Sequence, residues 1–113
     1  MSDTVFHKIV RREIPAEIVF EDEQCVVIRD IHPVARIHLL CIPKEYIADL
    51  SAVNATHEGV LGHLLLVASQ VAHREGIAES GFRVVVNCGK DGGMEVPYLH
   101  VHLLGGEQLA PLG

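Results

Sequence analysis

Tyr98-Leu99-His100-Val101-His102-Leu103-Leu104-Gly105-Gly106 alternates polar and apolar side chains up to a double glycine. The alternation predicts a strand from Val96 to Leu104, in which successive side chains point to opposite faces. Tyr98, His100 and His102 then share one face, while Leu99, Val101 and Leu103 face a core. Two imidazoles on an accessible face make a reactive surface, because a neutral ring can attack phosphorus through one nitrogen while a hydrogen bond holds the other. A histidine in an alternating strand is as readily a half-exposed residue that has found a partner. The surrounding residues have to decide.

Immediately upstream, Asn87-Cys88-Gly89-Lys90-Asp91-Gly92-Gly93-Met94-Glu95 leads into the histidine strand. Its glycines permit positive φ and close approach of main-chain N–H groups to an anion. It is not a Walker loop, because no Gly-Lys-Ser/Thr opens a helix. A hairpin turn with no ligand would look the same. Further out, Gly81 to Val86 reads as a strand, and a helical period runs from Asn54 or Thr56 to Glu75, with Leu61, Leu64, Leu65, Ala68, Val71 and Ala72 as its apolar stripe and Gly76 as its stop. Arg36 to Ile42 predicts a strand with Arg36, His38 and Leu40 on one face. Cys25 to Arg29 pairs in a hairpin with a strand near Glu17 to Phe20 through the turn Glu21-Asp22-Glu23. Thr4 suits the N-cap of a short helix with Val5, Phe6, Ile9 and Val10 as apolar positions, ended before Pro15. Hairpin strands with one long helix between the third and fourth predict an α+β fold, a single domain over residues 1–113 with a five-stranded antiparallel sheet.

With 15 acidic residues against 9 basic ones the formal net charge is −6, which disfavours nucleic acid as a partner. A single nucleotide is still admissible, because local N–H groups and histidines can hold it against the global field. Cys25, Cys41 and Cys88 form no Cys-x-x-Cys pair and lie in apolar runs, which fits a reducing compartment. No apolar stretch approaches membrane-spanning length, and the first residues do not read as a signal peptide, so a cytoplasmic protein without a membrane partner is expected. Hydrophobic residues make up 49% of the chain, which leaves surface for a partner subunit. The histidines at 7, 32, 57, 63 and 73 read as solvated surface residues.

Taken in order, Phe6-His7-Lys8-Ile9-Val10-Arg11-Arg12-Glu13-Ile14-Pro15, Phe20-Glu21-Asp22-Glu23, Asp30-Ile31 with Pro33, His38 before Ile42-Pro43-Lys44, Asn87, Gly92-Gly93, and His100 to Gly106 resemble the histidine triad family over nearly the whole chain. The Gly-Gly exit from the histidine strand is similar to that of its Hint-type branch, the purine nucleoside phosphoramidases. The chain departs from the triad at its first position, where Tyr98 replaces a histidine. It also departs at Arg36-Ile37, where the branch more often has Pro-Thr, and at Glu107, where a basic residue is usual.

The resemblance implies hydrolysis of the P–N bond of AMP- or GMP-amine conjugates through a nucleotidyl-histidine, in a two-fold homodimer, without metal or cofactor. It implies His100 as nucleophile, His102 against the phosphate or bridging group, and His38 supporting proton movement beside His100. It places Asp30 on the ribose hydroxyls, Phe6, Ile9, Ile28 and Ile31 around the purine, and Asn87, Gly93, Met94 and Glu95 near the phosphate or leaving group. Tyr98 is expected to hydrogen-bond near the site. Two other classes stay open: a nucleotide-binding regulatory protein with little turnover, and a metal site built from His38, His100 and His102.

Overall fold

In the computed structural model, which describes residues 3–112, the chain begins with a cap. The Thr4 hydroxyl accepts from the His7 N–H at 3.2 Å, and His7 Nδ1 accepts from the Thr4 N–H at 2.9 Å, which starts helix α1 at Val5–Val10. The next segments form strands β1 (Ile18–Glu21), β2 (Cys25–Arg29) and β3 (Ile37–Pro43). Two short 3₁₀ turns, Leu50–Ala52 and Ala55–His57, then lead into helix α2 (Glu58–Arg74), followed by β4 (Phe82–Val85) and β5 (Val101–Gly105).

The five strands form one antiparallel sheet in the order β1-β2-β3-β5-β4. Alternation splits the buried residues between its two faces. Val27, Leu39, Cys41, Leu99, Val101 and Leu103 pack with the α2 stripe of Leu64, Val67, Ala68, Val71 and Ala72. On the opposite face Val26, Ile28, Leu40, Ile42 and Tyr98 pack with Phe6 and Ile9 of α1. That short helix covers only part of its face, and the rest is open as a cleft.

Two elements differ from the sequence reading. Leu65 is not a core residue: it is 53% exposed and its neighbour Leu66 55%, because the core-facing stripe of α2 runs through Leu64, Val67 and Ala68 instead. The histidine strand is also shorter than Val96 to Leu104. Pro97 has no N–H to give a ladder, the Tyr98 N–H turns back to the Val96 carbonyl, and the Leu99 N–H goes to Ile47. Pairing therefore starts at Val101, although Tyr98, Leu99 and His100 keep the alternation of faces.

Candidate active site

The open face of the sheet carries a cleft of about 590 Å³, within the range of small-molecule sites. Phe6, Ile9, Ile28, Asp30, Ile31, Asn87, Gly93 and Glu95 all line it, with the buried His38 and His100 and the partly buried His102 as its floor. Met94 is not among the lining residues; its N–H closes the loop onto the Gly89 carbonyl. Ile14, Pro15, Ala16 and Val96 are walls that the sequence reading did not assign, and His32, solvent-exposed as expected, also lines the cleft. Ile14-Pro15 closes the Phe6 to Pro15 segment that resembles the family, which is the signal that could have found it.

Sheet register brings the histidines together. His38 lies opposite Leu104 and His102 opposite Leu40, so the two are diagonal neighbours on one face. Their rings meet at 2.9 Å, His38 Nε2 to His102 Nδ1. His38 is thus bonded to His102 and not to His100.

The hydrogen bonds decide which ring nitrogen carries a proton. The backbone N–H of Val34 donates to His38 Nδ1 at 3.1 Å, so in the neutral ring the proton lies on Nε2. His38 Nε2–H donates to His102 Nδ1, with Asp30 Oδ2 at 3.4 Å as a second acceptor. The proton of neutral His102 is then on Nε2. His100 is set the other way round: its Nδ1–H donates to the Tyr98 carbonyl at 2.6 Å, which leaves the Nε2 lone pair free. With the two rings 4.9 Å apart, the floor presents a lone pair beside an N–H donor.

Electrostatics keep these rings neutral. Burial lowers the pKa of His100 and of His38, and the Asp30 carboxylate offsets this only in part. His102 is lowered to about 4, first by burial and then by its two histidine neighbours. Phe6 packs edge-on against the His100 ring at 4.8 Å, so the apolar helix and the histidine hold each other.

Tyr98 does not reach the cleft with its phenol. The side chain is 1% exposed and its hydroxyl donates to the Pro43 carbonyl at 2.6 Å, among the rings of Phe6, His7 and Tyr46. Its contribution to His100 is a main-chain carbonyl. The other two departures meet each other: the Arg36 N–H, which a proline would lack, donates to Glu107 Oε1 at 2.6 Å.

The glycine loop is shaped by its backbone. A Cβ on Gly92 would lie 2.3 Å from the Cys88 carbonyl oxygen, and Gly93 has φ +77°. Asn87 Nδ2 donates to the Gly92 carbonyl at 2.7 Å, holding the loop against the end of β4. Asp30 serves as a turn residue as well as a cleft residue, since its Oδ1 accepts from the His32 N–H at 2.8 Å. Asp30, His38 and His102 could also hold a metal ion; His100, with Nδ1 committed to Tyr98, is not in that group.

The HIT domain model matches residues 11–109. An uncharacterised HIT-like protein of Synechococcus elongatus is 53% identical over 96% of the chain and 94% of its own length. The purine nucleoside phosphoramidase of Escherichia coli K12 is 46% identical over 97% of the chain and 92% of its own length. The crystal structure of a HIT family hydrolase from Legionella pneumophila superposes with a TM-score of 0.94 at 44% identity, over 96% of each chain.

Proposed function

The chain belongs to the HIT domain family, and from that membership we propose that it is a hydrolase cleaving the P–N bond of purine nucleoside phosphoramidates. The observation that carries this reading is the pairing of an uncommitted His100 Nε2 lone pair with the N–H of His102 on the floor of one cleft. His100 Nε2 attacks the α-phosphorus in line. The P–N bond to the amine breaks as a P–N bond to His100 forms, and water then releases the nucleoside monophosphate. His102 Nε2–H donates to the phosphoryl oxygen or the bridging nitrogen as charge develops. His38 fixes the His102 tautomer, and its own tautomer is fixed by the Val34 amide.

This chain of bonds ends on a backbone N–H, which does not pass on a proton. His38 and His102 therefore position and donate hydrogen bonds rather than supply the proton that the departing amine needs. That proton is proposed to come from water in the open cleft, with Glu95, an exposed carboxylate lining it, orienting that water beside the departing amine. Asp30 takes the ribose hydroxyls and Asn87 and Gly93 the phosphate side. Phe6, Ile9, Ile28 and Ile31 enclose the base, and the 84% exposure of Ile31 fits an apolar residue that meets a ligand.

The proposal extends to a two-fold homodimer in a reducing, cytoplasmic setting. It is supported by β4, an edge strand whose Phe82 and Val84 are exposed, by Leu65 and Leu66 on α2, and by the free thiols of Cys25, Cys41 and Cys88. Among the described residues no helix is long and apolar enough to cross a membrane. The direct test is a steady-state assay with adenosine and guanosine phosphoramidates carrying a fluorescent amine. Hydrolysis of both is expected. Tight nucleotide binding without turnover would make the chain a nucleotide-binding regulatory protein instead.

A further inference from the structure

Away from the cleft, on the α2 side of the sheet, three side chains of different chemistry converge without a part in the reaction. Asp22 in the β1–β2 turn, Cys25 at the start of β2 and His63 on α2 each offer one donor atom, and all three atoms lie within 4.8 Å of one another. Asp22 Oδ2 and His63 Nε2 are 2.6 Å apart, while Cys25 is fully buried behind them. The geometry points to a second site, in which these three residues bind a borderline divalent cation of the zinc class and tie the first hairpin to the long helix.

A tetrahedral zinc bonded at about 2.0–2.3 Å holds its ligand atoms about 3.3–3.8 Å apart. The observed separations, 2.6 Å between Asp22 and His63 and up to 4.8 Å within the group, bracket that spacing. The carboxylate is pre-aimed, since Asp22 Oδ1 is held by the Gln24 and Cys25 N–H groups at 2.8 and 2.9 Å, leaving Oδ2 for the ion. Those bonds and His63 also hold the Asp22 carboxyl at about 2, against the effect of burial, so the ion has to displace the Cys25 thiol proton, which burial and the Asp22 carboxylate push up to about 12, and to shift the His63 Nε2 proton to Nδ1. Asp22 and His63 are themselves partly solvent-exposed, leaving the fourth position to water. A thiol in the donor set selects zinc, cobalt or cadmium over magnesium or calcium.

The test is titration of the purified full-length chain with Co(II), followed by absorption, with Zn(II) as competitor. One equivalent is expected to give a thiolate-to-cobalt charge-transfer band that Zn(II) abolishes. The band should vanish in Cys25→Ser, require at least about tenfold more cobalt in His63→Gln, and persist in His102→Gln. Saturating Zn(II) should raise Tm by about 5–10 °C in the wild-type chain and not in His63→Gln. If Cys25→Ser does not fold, Asp22→Asn and His63→Gln decide the matter by the same readouts. Absence of the band, or cobalt binding that survives His63→Gln and is lost in His102→Gln, would overturn the proposal.

Discussion

Replacing Tyr98 by phenylalanine separates the two ways in which this residue could matter. The phenol hydroxyl donates 2.6 Å to the Pro43 carbonyl at a position 1% exposed, and it does not line the cleft. Tyr98→Phe keeps the ring contacts and the main-chain carbonyl that holds His100, and removes one buried hydrogen bond. That loss costs about 1–2 kcal/mol, which for a domain of this size lowers Tm by about 4–8 °C. Turnover should stay within about threefold of wild type, because no group in contact with substrate has changed. Tyr98→His should likewise stay within about tenfold, since the carbonyl is common to both residues. Thermal unfolding at a fixed protein concentration and steady-state kinetics on the same preparations give both numbers. A kcat more than tenfold lower with an unchanged Tm would show the phenol acting on the reacting groups, and would refute its assignment to the core.

The pH profile follows from the three lowered histidines. Their neutral forms are stabilised in the folded chain, so stability is full above the unfolded value near 6.5 and declines as pH falls below it, while the unfolded chain takes up protons that the native one refuses. Urea unfolding between pH 7.5 and 4.5 should show that decline, and the acid limb of kcat/KM should lie below about 6.5; a limb above that value would contradict a buried neutral nucleophile. Asp30→Ala should raise KM for ribonucleotide substrates more than for their 2′-deoxy analogues, and equal effects on both sugars would remove Asp30 from the ribose site. Light scattering at micromolar concentration should give a dimer that Leu66→Glu with Val84→Glu weakens, whereas a wild-type monomer would refute the dimer.

Much of this architecture is legible in the sequence because local chemistry and the final packing agree. Thr4, the Cys25 to Arg29 run and the helical stripe ending at Gly76 each form the element their residue types favour. The alternation through Tyr98, His100 and His102 gave the right faces but the wrong strand length. Side-chain polarity reports burial, whereas the ladder depends on N–H groups that Pro97 and the Ile47 carbonyl redirect. The sequence reading puts Leu65 in the core because an exposed leucine on a helix has the same polarity as a buried one. His7, His57 and His63 read as solvated residues, yet the first two accept from backbone N–H groups at helix starts and the third meets Asp22. Such partners are set by three-dimensional proximity and leave no periodic trace.

At the site, the residue types and their spacing suggested the chemistry, but not the direction of the hydrogen bonds. The order Val34 to His38 to His102 depends on sheet register and on a backbone amide, neither of which a side-chain pattern encodes. Met94 shows another limit: the resemblance places it near the phosphate, while its N–H bond to the Gly89 carbonyl, which closes the loop, has no counterpart in the side-chain pattern.

The nucleophilic role of His100 is tested most directly by mixing the protein with an adenosine phosphoramidate, quenching on the timescale of a single turnover, and weighing the chain. The predicted result is a transient gain of one adenylyl group, mapped to His100. In His100→Asn the adduct and turnover should be absent, while adenosine monophosphate still binds within about tenfold of wild type. Turnover of His100→Asn near the wild-type rate, or an adduct on any other residue, would contradict the account.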